Sequence, residues 1–247
     1  MSFKRWAGIG LSILGFSFCL LLLPCAERVV ESEGWVRSQQ NLKYIGLALY
    51  DYNEHFGRLP AAVVRDKAGR PLYSWRVALL PFLEEVRLYK QFKLDEPWDS
   101  PHNQKLLETT PKCYQPHGGG YDDPGLTRYQ VLVGQGTAFG REGLTLTKDD
   151  FPDGFAETIL VVEAAEPVPW TKPVDLVYDT DGPLPALGGF YAKPVHFLCY
   201  EVKRRPGFNA SFADGSARFI RSSAEESDIR AIITRDGGEP VKWSRLE

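Results

Sequence analysis

The sequence predicts an α+β protein, and two changes of pattern along the chain carry that expectation. Apolar residues recur at helical spacing up to about residue 107, and from Tyr129 onward they fall in short runs with the period of strands. Ahead of both lies Trp6 to Ala26, twenty-one residues without a charge. As a helix that segment would measure about 30 Å, the thickness of a bilayer's hydrocarbon core.

This first segment is read as a single transmembrane anchor over residues 1–26, followed by an extracytoplasmic domain over 27–247. Lys4, Arg5 and the α-amino group precede it and favour a cytoplasmic N-terminus, and Trp6 suits the headgroup interface. A basic start and an apolar run also begin cleaved signal peptides, with Ala26 as a small residue for cleavage, and Leu22-Leu23-Pro24-Cys25 allows a lipoprotein reading. Pro24 fits both alternatives badly and is expected to kink the helix at the membrane exit.

Beyond Pro24 the helical stripe resumes through Trp35, Leu42, Ile45, Leu49, Tyr52 and Phe56, with Glu31, Arg37, Gln40, Lys43 and Asp51 on the other face. Gly57 and Pro60 supply its stop. Ser74 to Phe92 reads as a second helix, bent at Pro81, with Trp75, Leu79, Phe82, Val86 and Tyr89 inward. A short third helix should start at Ser100, with Pro101 at its first position, and run through Leu106 and Leu107. Tyr114 to Thr127 is rich in Gly and Pro and reads as a loop.

The expected strands are Tyr129 to Val133, Thr158 to Glu163, Val195 to Val202, Phe208 to Phe212 and Ala217 to Arg221. Ala213-Asp214-Gly215-Ser216 joins the last two as a hairpin turn. A short helix near Ser227 to Thr234 should follow, ended by Asp236-Gly237-Gly238. The Pro-rich stretch Pro167 to Pro185 is long enough for a lobe or flap.

Composition excludes several function classes. Lys plus Arg number 29 against 32 Asp plus Glu, a net charge of −3, so no excess of positive charge would draw the chain to nucleic acid. The single Met argues against an adaptable Met-lined groove. The four cysteines have no metal spacing: Cys19 and Cys25 lie in the apolar run, and Cys113 and Cys199 are far apart. In an exported domain those last two could pair, or stay as separate buried thiols.

Asp95, Glu96, Asp99, His102 and Asn103 around Trp98 offer oxygen ligands for calcium, but Asp99 and Ser100 are also what a helix start needs. Asp179-Thr180-Asp181-Gly182 has the opening of a calcium loop, without the closing Glu of an EF-hand. Asp149, Asp150 and Asp153 read as a capped turn before a strand. His55, His102, His117 and His196 lack a Ser or Cys partner motif, and Gly118-Gly119-Gly120 lacks the Lys and Ser/Thr of a phosphate loop. No catalytic, cofactor or metal residue is therefore assigned, and no enzyme activity is expected.

Several ordered motifs resemble one family. Asn41-Leu42-Lys43-Tyr44-Ile45-Gly46-Leu47-Ala48-Leu49-Tyr50 with Gly57-Arg58-Leu59-Pro60 resembles the start of the bacterial DUF1559 proteins. Ser74 to Pro81, Leu94 to Asn103, Asp153-Gly154 with Thr158 to Glu163, and Phe208-Asn209 through Phe212 to Ser216 continue the likeness. The resemblance implies a fold like type IV pilins and secretion pseudopilins, in which a long N-terminal helix packs on an antiparallel sheet. It implies no reaction. Two features of such relatives are missing: Gly15 stands where their processing site carries Glu, and Arg204 stands ten positions before Asp214 where their H-X9-DG motif carries His. The expectation is a membrane-anchored, pilin-like or pseudopilin-like envelope protein whose partners are the membrane and secretion or pilus-like proteins. The alternative is an extracytoplasmic module for a glycan or solute, with Trp98, Trp170 and Tyr178 as exposed stacking aromatics.

Overall fold

The computed structural model describes residues 36–115, 124–188 and 206–247, together with the backbone of 195–197 and 200–202. Helix α1 occupies 36–56, about 31 Å at 1.5 Å per residue. It lies on a four-stranded sheet, so the α+β expectation holds. No described helix is long and apolar enough to cross a membrane, and the anchor expected over 1–26 lies outside the described residues.

The sheet has strand order β10-β9-β5-β3, with every neighbour antiparallel. Its strands are β3 (Leu126–Gln130), β5 (Ile159–Pro169), β9 (Gly207–Phe212) and β10 (Ala217–Arg221). β9 and β10 form the expected hairpin, in register Ser211 to Ala217, with Gly215 at φ +80° in the turn. The Asp214 carboxylate accepts the Ser216 amide at 2.8 Å. α4 (Glu226–Ile233) and α5 (Trp243–Leu246) cover the other face, burying Ile229, Ile232, Ile233 and Leu246 against Phe208, Ala210, Phe212 and Ile220.

Outside the main sheet, the described residues form three small pairs: β1 (Val63–Arg65) with β2 (Pro71–Ser74), β4 (Leu132–Val133) with β6 (Leu176–Val177), and β7 (Val195–Phe197) with β8 (Tyr200–Val202). The run expected as one strand over 195–202 is thus two short strands turned back on each other.

The second helix expected over Ser74 to Phe92 is three short pieces: α2 (Trp75–Ala78), a 3-10 turn at Leu80–Leu83 and α3 (Val86–Tyr89). Pro81 starts the 3-10 turn, and Glu84 at φ 60° reverses the chain, so the helical phase is lost twice. Leu80, Leu83 and Leu88 go inward, while Val86, expected inside, is exposed. Ser100 does accept the amide of Asn103 as an N-cap should, but the turn it opens is 3-10, over Asn103–Leu106.

β5 runs six residues past the end expected at Glu163, through two prolines. Its pairing with β9 stops at Val162. Beyond that point its backbone bonds β3 on one side and the 186–188 segment on the other, with the Ala165 amide donating to the Ala186 carbonyl and the Glu163 carbonyl accepting the Gly188 amide, both at 2.9 Å. Part of the Pro-rich stretch 167–185, expected as a lobe or flap, is built into the core: Trp170 and Thr171 are fully buried, and β6 beyond them pairs with β4 while leaving Val177 exposed.

Candidate functional site

Helix α1 has two distinct faces. The inward one places Ser38, Leu42, Ile45, Leu49 and Asn53 in the interior at spacings of three or four. Trp35 of the expected stripe lies outside the described residues. Phe56 departs from expectation: it is exposed at the last residue of the helix, and it meets Tyr52, His55 and Phe82 in an aromatic cluster.

Beneath α1 a polar row crosses the sheet. Tyr129 opposes Glu163 on the neighbouring strand, and the Glu163 carboxylate accepts the Asn209 amide at 2.7 Å and the Ser38 hydroxyl from the helix. Asn41 donates to the Tyr129 hydroxyl at 3.3 Å. Burial, then the Glu163 charge, push the Tyr129 phenol far above its ordinary value, so it stays protonated. Gly46 lets the helix sit close: a Cβ there would lie 2.5 Å from the buried Ser211 hydroxyl.

The outward face is unusual for a solvated helix. Leu47 is 57% exposed, Tyr50 48% and Tyr44 38%, three apolar-bodied residues in successive turns. Lys43 and Asp51, both exposed, flank them, and neither makes an ion pair among the described residues. Burial against the chain, then the nearby Glu84 carboxylate, raise the Tyr44 phenol, so this ring too carries no charge near neutrality.

The other polar clusters are structural in their geometry. Asn103 is buried and ties the loop at 93–97: its amide nitrogen donates to the carbonyls of Lys93, Glu96 and Pro97 at 2.9–3.3 Å, and its oxygen accepts the Lys93 amide. Lys93 pairs with Glu96, and His102 is engaged with the Gln91 carbonyl at 2.8 Å. At Asp179 to Gly182 the carbonyls that a cation would need are occupied by a side-chain cation. Arg230 donates to Asp179 O and Thr180 O at 3.2 Å and to Gly182 O at 2.5 Å. Asp150 accepts from Thr145 and pairs with Arg141, whereas Asp153 accepts the amides of Gly237 and Gly238. Among the described residues no group of three or more His, Cys, Asp or Glu is placed to hold a metal ion. His117 and the side chain of His196 lie outside the description.

Two of the three aromatics expected on the surface are in the core. Trp170 is fully buried, stacked on Tyr114 with its indole donating to the Leu107 carbonyl, and Tyr178 is buried under Arg230. Trp98 is half-buried below the Lys172 ammonium. Cys113 is a buried thiol pushed up to about 12 by burial, and Cys199 lies outside the described residues.

Sequence reasoning missed a buried charge pair. Arg76, with no exposed surface, donates to Asp175 at 2.5 Å, to Tyr129 O at 2.8 Å and to the Ser74 hydroxyl at 2.6 Å. The same Asp175 oxygen accepts the Trp75 indole at 3.2 Å and the Val131 amide at 3.0 Å. Burial pushes the Asp175 carboxyl above the usual range, and Arg76 pulls it back. This node joins α2, β3 and the segment ahead of β6, and its sequence signal is only the Ser74-Trp75-Arg76 triplet.

No curated protein and no solved structure matches the chain. A family model described as "Protein of unknown function (DUF1559)" matches residues 36–117, the stretch from the start of α1 through the 3-10 turn at Lys112–Tyr114. Over that segment, about a third of the chain, which holds both faces of α1 and the Arg76 triplet, the chain is similar to the DUF1559 family.

Proposed function

We propose that this chain is a membrane-anchored, pilin-like or pseudopilin-like envelope protein that works by binding or assembly rather than by catalysis. The observation that carries the reading is the outward face of α1, where Tyr44, Leu47 and Tyr50 stand in solvent on the element that follows the expected anchor. Both faces of the main sheet are covered within the chain, and this helix face gathers three of the exposed large apolar side chains, Tyr44, Leu47 and Tyr50, in successive turns. A single-pass topology with the domain extracytoplasmic follows from the apolar segment at 6–26 and its basic N-terminal flank.

The rival reading, a module for a glycan or solute, loses two of its three stacking aromatics to the core. The test is recovery of the protein from its native membranes. It should resist an alkaline wash, be released by detergent, and show the full-length mass of 27.8 kDa. A soluble product beginning near Glu27 would remove the anchor from the account. Capture of the detergent-extracted protein should bring secretion or pilus-like envelope components, and a bound glycan without protein partners would favour the rival.

A further inference from the structure

The outward face of α1 is self-complementary. Taken from Leu47 in both directions along the chain, Tyr44 and Tyr50 stand three residues away and Lys43 and Asp51 four residues away. The pattern is the same read backwards, except that the charge changes sign. All five residues are exposed, and neither Lys43 nor Asp51 has an ion-pair partner within the chain's described residues.

We infer that this face pairs with a second copy of the chain, helix antiparallel to helix, about a two-fold axis at Leu47. A two-fold axis there brings residues whose numbers add to 94 to the same level. Lys43 of one copy then lies level with Asp51 of the other, about 6 Å along the helix from the axis, and Tyr44 lies level with Tyr50. Both ion pairs form at once and the contact closes at two copies.

The other arrangements are worse by charge or by closure. Parallel helices in register put Lys43 beside Lys43 and Asp51 beside Asp51, which repel. Parallel helices offset by eight residues match one Lys43 with one Asp51 but leave the other pair open, giving an unclosed series. One helix face is small beside the roughly 1,200 Å² of a stable complex, so the contact is a weak dimer. The two-fold sends the α1 N-termini to opposite ends, so two copies anchored in one membrane make it with α1 lying along the membrane surface. The inference rests on the proposed assembly role of this face and names its partner.

The experiment uses the full chain in detergent with single cysteines introduced at Tyr44→Cys and Tyr50→Cys, each checked for an unchanged melting temperature. Oxidation of the two variants mixed should yield 44-to-50 disulfides, identified by peptide mapping against the native cysteines, well above 44-to-44 or 50-to-50. Lys43→Asp should reduce that product at least about tenfold, and Lys43→Asp with Asp51→Lys should restore it. No mixed product, a dominant 44-to-44 product, or no rescue by the double reversal overturns the antiparallel pair. If Leu47→Asp still lowers capture of envelope components while no self-pairing is found, the assembly role stands and its partner is not a second copy.

Discussion

Removing either member of the Arg76–Asp175 pair should cost about 3–5 kcal/mol, because each deletion leaves the other charge buried without its partner. The two side chains expose 0% and 2% of their surface and approach to 2.5 Å. Asp175→Leu strands the guanidinium, and it also leaves the Trp75 indole and the Val131 amide without their acceptor. Arg76→Met frees the Tyr129 carbonyl and the Ser74 hydroxyl of a donor and leaves a carboxylate in the core. The double variant Arg76→Met with Asp175→Leu removes both charges and should cost clearly less than the sum, with a coupling of about 2 kcal/mol or more. Urea unfolding of the detergent-extracted protein, followed by tryptophan fluorescence, measures all three with Trp75 as a local reporter. Single losses below about 1 kcal/mol, or a double variant equal to the sum, would refute the view that this pair is dry and mutually dependent.

Further outcomes follow from other contacts. Asp214→Ala should cost about 1 kcal/mol, read as a lowered urea midpoint, by losing the carboxylate that accepts the Ser216 amide. Gly46→Ala should destabilise the wild type, since its Cβ would meet the Ser211 hydroxyl at 2.5 Å. In a Ser211→Ala background the same change should stabilise by up to about 1 kcal/mol, the helix propensity of Ala over Gly. Cys113 has a folded pKa raised from 9.0 to about 12. Its contribution to stability is therefore full below pH 9 and lost as pH rises toward 12. Iodoacetamide at pH 8.5 should label it on the order of 100-fold more slowly in the folded than in the urea-unfolded protein, read by peptide mapping.

What the sequence makes legible is local. The β9–β10 hairpin has the expected strand ends to within one residue, because Asp214-Gly215 fixes a turn by its own chemistry. The inward stripe of α1 likewise follows from spacing alone at Leu42, Ile45 and Leu49. What it hides depends on partners distant in the chain. Arg76 and Asp175 stand ninety-nine residues apart, so no window contains both. Trp170 and Tyr178 look like surface aromatics in a Pro-rich stretch until the stretch is seen to be held in the core by the bonds of Asp175. The β1–β2 hairpin escapes notice because each strand has only three or four residues, too few to display an alternation. The outward face of α1 was masked by its own polar neighbours: Gln40, Lys43 and Asp51 mark that side as solvated, and only the exposure of Leu47 and Tyr50 separates a contact face from a wet one.

Whether the outward face of α1 makes the contacts of an envelope protein is decided by quantitative capture from native membranes. Wild type and Leu47→Asp would be cross-linked in place, extracted and compared by mass spectrometry. Leu47 is 57% exposed, so the substitution should leave the fold intact, which the melting temperature checks. A second copy of the chain, or secretion or pilus-like envelope components, should be recovered with the wild type and reduced at least about tenfold, equivalent to about 1.4 kcal/mol, with Leu47→Asp. Identical recoveries from the two proteins, at equal abundance in the membrane, would contradict it.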